Sequence, residues 1–99
     1  MLSKLLELYA RNGFSLAENG IPSAIIPIKY SLQVLELLFH SQIIILGGDI
    51  YERDENGNFY ANYSNWYYEG NDSKESIFSA KNHLSKCNPN EFVLFVFKE

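Results

Sequence analysis

Seven carboxylates stand between Asp49 and Glu75 of this chain, at Asp49, Glu52, Asp54, Glu55, Glu69, Asp72 and Glu75, against only Arg53 and Lys74. That segment carries −5 while the rest of the chain carries +1, for a total of −4 over 99 residues. Tyr51, Phe59, Tyr60, Tyr63, Trp66, Tyr67 and Tyr68 fall in the same segment, more aromatics than one small hairpin readily buries. Carboxylates interleaved with rigid rings suit binding rather than bond-making. Aromatics give contact area at low entropy cost, and charges steer a basic partner. The expected partner surface is therefore Asp49, Tyr51, Glu52, Asp54, Glu55, Tyr60, Tyr63, Trp66, Tyr67, Tyr68, Glu69 and Asp72, with Trp66 its first anchor. The plainer alternative is a solvated hairpin tip with several of the rings in the core. Strand alternation forbids all of these side chains from facing one way.

Other groupings carry less chemistry. Gly47-Gly48-Asp49 lacks the lysine and spaced glycines that cradle phosphates, so a bulge or sheet kink is expected there. Asp49, Glu52 and Asp54 could chelate magnesium, but their spacing matches no calcium loop, and no metal site is assigned. His40 and His83 lack ligand spacing and read as packing or surface residues. His83 and Cys87 stand four apart, as a base and nucleophile could, yet no third group orients them, and a half-buried structural thiol is expected. No catalytic residue and no cofactor are assigned.

Composition narrows the classes further. An apolar fraction of 46% with 20% charged residues describes a packed globular domain, and 99 residues make one domain. An acidic chain has the wrong sign for neutralising nucleic-acid phosphates. A single cysteine excludes an internal disulfide and suits a reducing compartment. Lys4 and Glu7 interrupt what would have to be an apolar signal-peptide core, and the uncharged stretch from Leu37 to Gly48 is too short to span a bilayer. A cytoplasmic protein is expected.

The elements that must position the acidic segment follow from periodicity. Leu2, Leu5, Leu6 and Tyr9 fall on one helical face, with Glu7 and Arg11 paired on the wet side and Asn12-Gly13 as the stop. Phe14 to Ser23 lacks a period and reads as loop. Pro27 suits the first turn of a second helix. That helix carries Tyr30, Leu32, Val34, Leu35, Leu37, Leu38 and Phe39 around its circumference, as if buried on several sides. Gln42 to Leu46 predicts a strand buried on both faces. Asn56-Gly57 turns it back through Phe59 to Tyr63, and Asn65 to Glu69 continues past an irregularity. Asp72 and Glu75 form a capping box for a third helix striped with Ile77, Ala80, Leu84 and Cys87 and stopped by Asn88-Pro89. Phe92 to Phe97 predicts a central strand. The expected class is α+β, in the order α-α-β-β-α-β. Three to four antiparallel or mixed strands pack against two to three helices.

The run Ile43-Ile44-Ile45-Leu46 into Gly47-Gly48-Asp49, with Tyr51, a hairpin and then Asn65-Trp66-Tyr67, resembles the immunity protein 40 family, mainly over Gln42 to Glu69. The resemblance implies a small cytoplasmic α+β protein that binds a bacterial toxin domain and blocks it, with no chemistry of its own. The implied partner is a cognate toxin C-terminal domain, bound one to one, without direct nucleic-acid or membrane contact. The family pattern supplies no contact residues. The acidic segment agrees with it in direction, because a toxin that holds phosphate backbones presents a cationic cleft that carboxylates can fill. Two other readings stand beside it. One is a small ligand-binding module using the aromatic side of the hairpin, and the other a small metal-dependent hydrolase using Asp49 and its neighbours.

Overall fold

The computed structural model describes residues 2–18 and 21–98. Its elements run α1 (Leu2–Asn12), β1 (Phe14–Glu18), β2 (Ile21–Pro27), a 3-10 turn (Ile28–Tyr30), α2 (Ser31–His40), β3 (Ile44–Arg53), β4 (Phe59–Tyr67), α3 (Ser73–Leu84) and β5 (Phe92–Lys98). The strands form one five-stranded sheet ordered β1-β2-β5-β3-β4, with every pairing antiparallel. The α+β class is as expected, with one strand more than the upper estimate. β5, apolar at nearly every position, lies in the middle, as its sequence predicts.

All three helices pack on one face of the sheet. Their buried residues Leu5, Leu8, Val34, Leu35, Leu38, Ala80 and Leu84 join Ile26, Ile45, Ile50, Trp66, Val93 and Phe95 in a single cluster. Each large apolar side chain fully buried here contributes about 1.5–3 kcal/mol. The opposite face carries a smaller cluster of Leu16, Ile25 and Phe92, with Phe14, Tyr51, Phe59 and Leu94 packed against it. The guanidinium of Arg53 lies 5.1 Å from the Phe14 ring centre and 4.9 Å from that of Phe59, closing this cluster with a cation over two rings.

The extra strands come from the segment expected to be loop. Phe14 to Ser23 is instead most of a β1–β2 hairpin paired from Phe14↔Ile25 to Glu18↔Ile21. Its alternation is too short to read locally, and the gain comes from burying Leu16 and Ile25 against Phe92 at the other end of the chain. Pro22 is tolerated because β2 has a neighbour on only one side there, β5 pairing only at Ile26 and Pro27. Gly20 lies outside the described residues. Pro27 ends β2 rather than opening a helix, and α2 begins at Ser31 after the 3-10 turn.

The helical stripes also shift. In α1 the buried pair is Leu5 and Leu8, while Leu6 is 70% exposed, and the side chain of Leu2 lies outside the described residues. The Glu7–Arg11 pair forms at 2.8 Å. α2 is not buried all round, since Val34, Leu35 and Leu38 face the sheet while Leu32 and Phe39 face solvent. Gln42 belongs to the end of α2 rather than to a strand. Its φ is 57°, and the Ile43 N–H reaches back to the Leu38 carbonyl at 3.1 Å, a Schellman closure with glutamine at the left-handed position.

In α3 the cap is half of the expected box. Asp72 Oδ1 accepts the N–H groups of Lys74 and Glu75, but the Asp72 N–H donates to the Tyr68 hydroxyl at 3.1 Å rather than to Glu75. The helix ends at Leu84, before Cys87 and Pro89. Ser76, fully buried, takes the Ile45 N–H on its hydroxyl at 3.0 Å and donates to the Ser73 carbonyl at 2.8 Å, tying α3 to β3. The Gly47-Gly48 kink is present as a register shift between Ile45 and Gly47 against β5. Gly48 lets the Trp66 ring lie where a β-carbon would stand, 2.5 Å from its nearest carbon.

Candidate partner-binding surface

The β3–β4 hairpin sorts the expected residues by face and by end. Asp49↔Asn65, Tyr51↔Ala61 and Arg53↔Phe59 point one way, whereas Gly48↔Trp66 and Glu52↔Tyr60 point toward the helices. From the Arg53 end to the Gly47 end, six residue-to-residue steps of strand span about 20 Å. The twelve expected residues therefore cannot make one patch.

Four of them are structural. Trp66 is 8% exposed, stacked on His83 with ring centres 4.9 Å apart and set edge-on to Phe95, so it is a core residue and not an exposed anchor. A tryptophan in a short polar segment looks exposed. Here Gly48 opens the space that takes it in. Tyr51 packs into the second cluster. Tyr68 and Asp72 close the loop before α3 by exchanging two hydrogen bonds, the Tyr68 hydroxyl donating to the Asp72 carbonyl and accepting from its N–H. Asp49 and Tyr67 lie on the face away from the helices, and Tyr67 is 78% exposed. Glu69 is exposed beyond the Tyr67 end of the hairpin.

The rest converge at the turn. Asp54 Oδ1 accepts the N–H groups of Asn56 and Asn58, each at 2.9 Å, shaping a loop in which Gly57 has φ 83°. Glu55 is exposed on that loop. Glu52 accepts the Tyr60 hydroxyl at 3.4 Å and the Asn62 amide at 3.1 Å. Its charge raises the Tyr60 phenol above the ordinary tyrosine range, with smaller contributions from desolvation and Asp54. The Asn62 amide also donates to Glu91 at 2.6 Å. Glu91, which lies outside the acidic segment, is thus brought beside Glu52 by the loop before β5. Its other oxygen accepts the Asn88 N–H at 2.7 Å. A shallow cleft of about 320 Å³ is lined there by Glu52, Arg53, Asn88, Asn90 and Glu91. Arg53 turns its guanidinium to the opposite face. Glu52, Asp54, Glu55 and Glu91 are left as an acidic edge carrying Tyr60 and Tyr63.

The chemical alternatives fare differently. Ser64 Oγ and His83 Nε2 stand 3.1 Å apart, the geometry of a nucleophile and base. Burial, followed by the charge of Lys86, holds the His83 imidazole below its ordinary pKa. Its ring is spent stacking on Trp66, and no carboxylate among the described residues orients it. Cys87 turns its thiol to the His83 carbonyl at 3.6 Å rather than to the ring, and burial followed by the Glu91 charge pushes that thiol up. Asp49 and Glu52 point to opposite faces, so the proposed magnesium trio does not converge, and no group of three His, Cys, Asp or Glu among the described residues could hold a metal ion. On the aromatic side of the hairpin the Phe14, Phe59 and Phe92 rings pack against one another. The roomier apolar groove, about 560 Å³, lies between α2 and α3, lined by Leu32, Leu35, Phe78 and Leu84. No helix among the described residues is long and apolar enough to cross a membrane.

The chain is thus an α+β domain whose β3–β4 hairpin ends in an acidic edge with exposed tyrosines. The model of the family described as immunity protein 40 matches residues 15–97, nearly the whole chain, and this protein belongs to that family. The match reaches well beyond the Gln42 to Glu69 segment that carries the sequence resemblance. No curated protein and no solved structure gives a significant match.

Proposed function

We propose that this immunity protein binds a cognate bacterial toxin domain in the cytoplasm and neutralises it through the turn end of the β3–β4 hairpin. The observation that carries this reading is the segregation of charge there. Glu52, Asp54, Glu55 and Glu91 share one edge with Tyr60 and Tyr63, while Arg53, the one base among them, is drawn to the other face by Phe14 and Phe59. Such an edge suits a cationic cleft of the kind a nucleic-acid-cutting toxin needs, and it would exclude substrate by occupancy alone. Family membership supports an immunity role in general.

The test uses Glu55 and Asn90, whose side chains are exposed and which stand on neighbouring loops. Glu55→Lys with Asn90→Lys should slow association with the toxin domain encoded beside this protein by about tenfold at low salt. The difference should shrink at high salt, with the melting temperature unchanged. Equal association rates for variant and wild type at low salt would remove the acidic edge from the interface.

A further inference from the structure

Tyr63 is the most exposed large hydrophobic side chain among the described residues, at 94%, and its φ is 66°. A bulky residue rarely occupies the left-handed region, so the surroundings must hold it there. The pairing around it explains how. Asp49 opposes Asn65 and Tyr51 opposes Ala61, so Ile50 alone faces the three residues Asn62, Tyr63 and Ser64, and β4 bulges outward at the sheet edge. Asn62 closes that bulge. Its side-chain oxygen accepts the Ser64 N–H at 2.9 Å across Tyr63, and its amide nitrogen donates to two carboxylates, Glu52 on β3 and Glu91 before β5. Glu91 is fixed in turn through Asn88. Three separate chain segments therefore meet on one asparagine whose neighbour is a tyrosine ring in open solvent.

We infer that Tyr63 enters a pocket of the toxin domain and that Asn62, clamped between Glu52 and Glu91, is the positioning residue that holds it out. This rests on the acidic edge being the interface and adds what that edge presents. A tyrosine pre-set by its backbone loses little freedom on docking. The carboxylates behind it call for a pocket with an apolar floor and an Arg or Lys rim, where the ring also meets a cation face-on.

Binding kinetics with the toxin domain encoded beside this protein test the inference. Tyr63→Ala should dissociate about 30-fold faster, the loss expected of a hot-spot side chain, with association within twofold of wild type and an unchanged melting temperature. Asn62→Ala should speed dissociation several-fold. The double variant should be no worse than Tyr63→Ala alone, because Asn62 acts only through Tyr63. Additive losses in the double variant would overturn the positioning role. Tyr63→Ala leaving at the wild-type rate would overturn the anchor and reduce the bulge to a guard against edge-to-edge strand pairing. The acidic-edge reading would survive that result, since it is read from association of the lysine variants. Absence of binding by the wild-type protein would overturn both.

Discussion

Trp66 and His83 lie nearly parallel, their ring centres 4.9 Å apart and their planes inclined by 29°. This contact joins the edge strand β4 to α3, and Ser64, two residues before Trp66, adds a hydrogen bond to the same imidazole. The strand that carries Tyr60 and Tyr63 is thereby tied to the helical layer at its far end. A surface that must meet a partner without a large ordering cost benefits from such a brace.

Trp66→Ala should destabilise the protein by about 3–5 kcal/mol, because it empties the space between Gly48, Phe95 and His83. Trp66→Phe should lose much less. It keeps most of the ring and removes an indole N–H that is buried without a hydrogen-bond partner among the described residues. Urea unfolding of the three proteins at neutral pH measures this. A Trp66→Ala protein of wild-type stability would contradict the burial.

Acid should weaken the fold through His83. Its pKa is lowered, by burial first and then by Lys86, so as pH falls the unfolded chain takes up this proton before the folded one does. The contribution is fully present above the unfolded value of about 6.5 and is lost as pH falls through the lower folded value. Unfolding free energies of wild type and His83→Gln between pH 7.5 and 5 should therefore converge toward the acid end, and parallel curves would refute the assignment.

Gln42→Gly should stabilise the protein by about 0.5–1 kcal/mol, since the left-handed turn that ends α2 suits glycine and strains a residue with a β-carbon. The comparison site is Gly57→Ala, at φ 83°, where a loss of similar size is expected from the left-handed backbone alone, since the β-carbon would make only an ordinary contact with Arg53 Nε at 3.9 Å. Thermal melts of both variants give the two signs, and a destabilised Gln42→Gly would mean that the glutamine side chain itself contributes.

The acidic, aromatic character of residues 49–75, the helix-stop at Asn12-Gly13, the kink at Gly47-Gly48 and the central, two-faced β5 are all legible in the chain, because each depends on local composition or on a period of a few residues. The β1–β2 hairpin is not. Phe14 and Leu16 become a strand only because Phe92, more than 70 residues away, gives their side of the sheet something to bury against. Nor could Trp66 be told from a surface ring, since the space it fills is made by Gly48 on one strand and His83 on a helix.

Glu91 marks the same boundary within the site. It lies 16 residues beyond the acidic segment, and only the docking of β5 beside β3 brings it to within 2.6 Å of Asn62 and alongside Glu52. Charge sign and ring content are additive properties of the sequence, and the proposal of a cationic partner starts from them. Which carboxylates stand together, and which tyrosine stands out, depend on the register and faces of paired strands, and only the tertiary structure decided them.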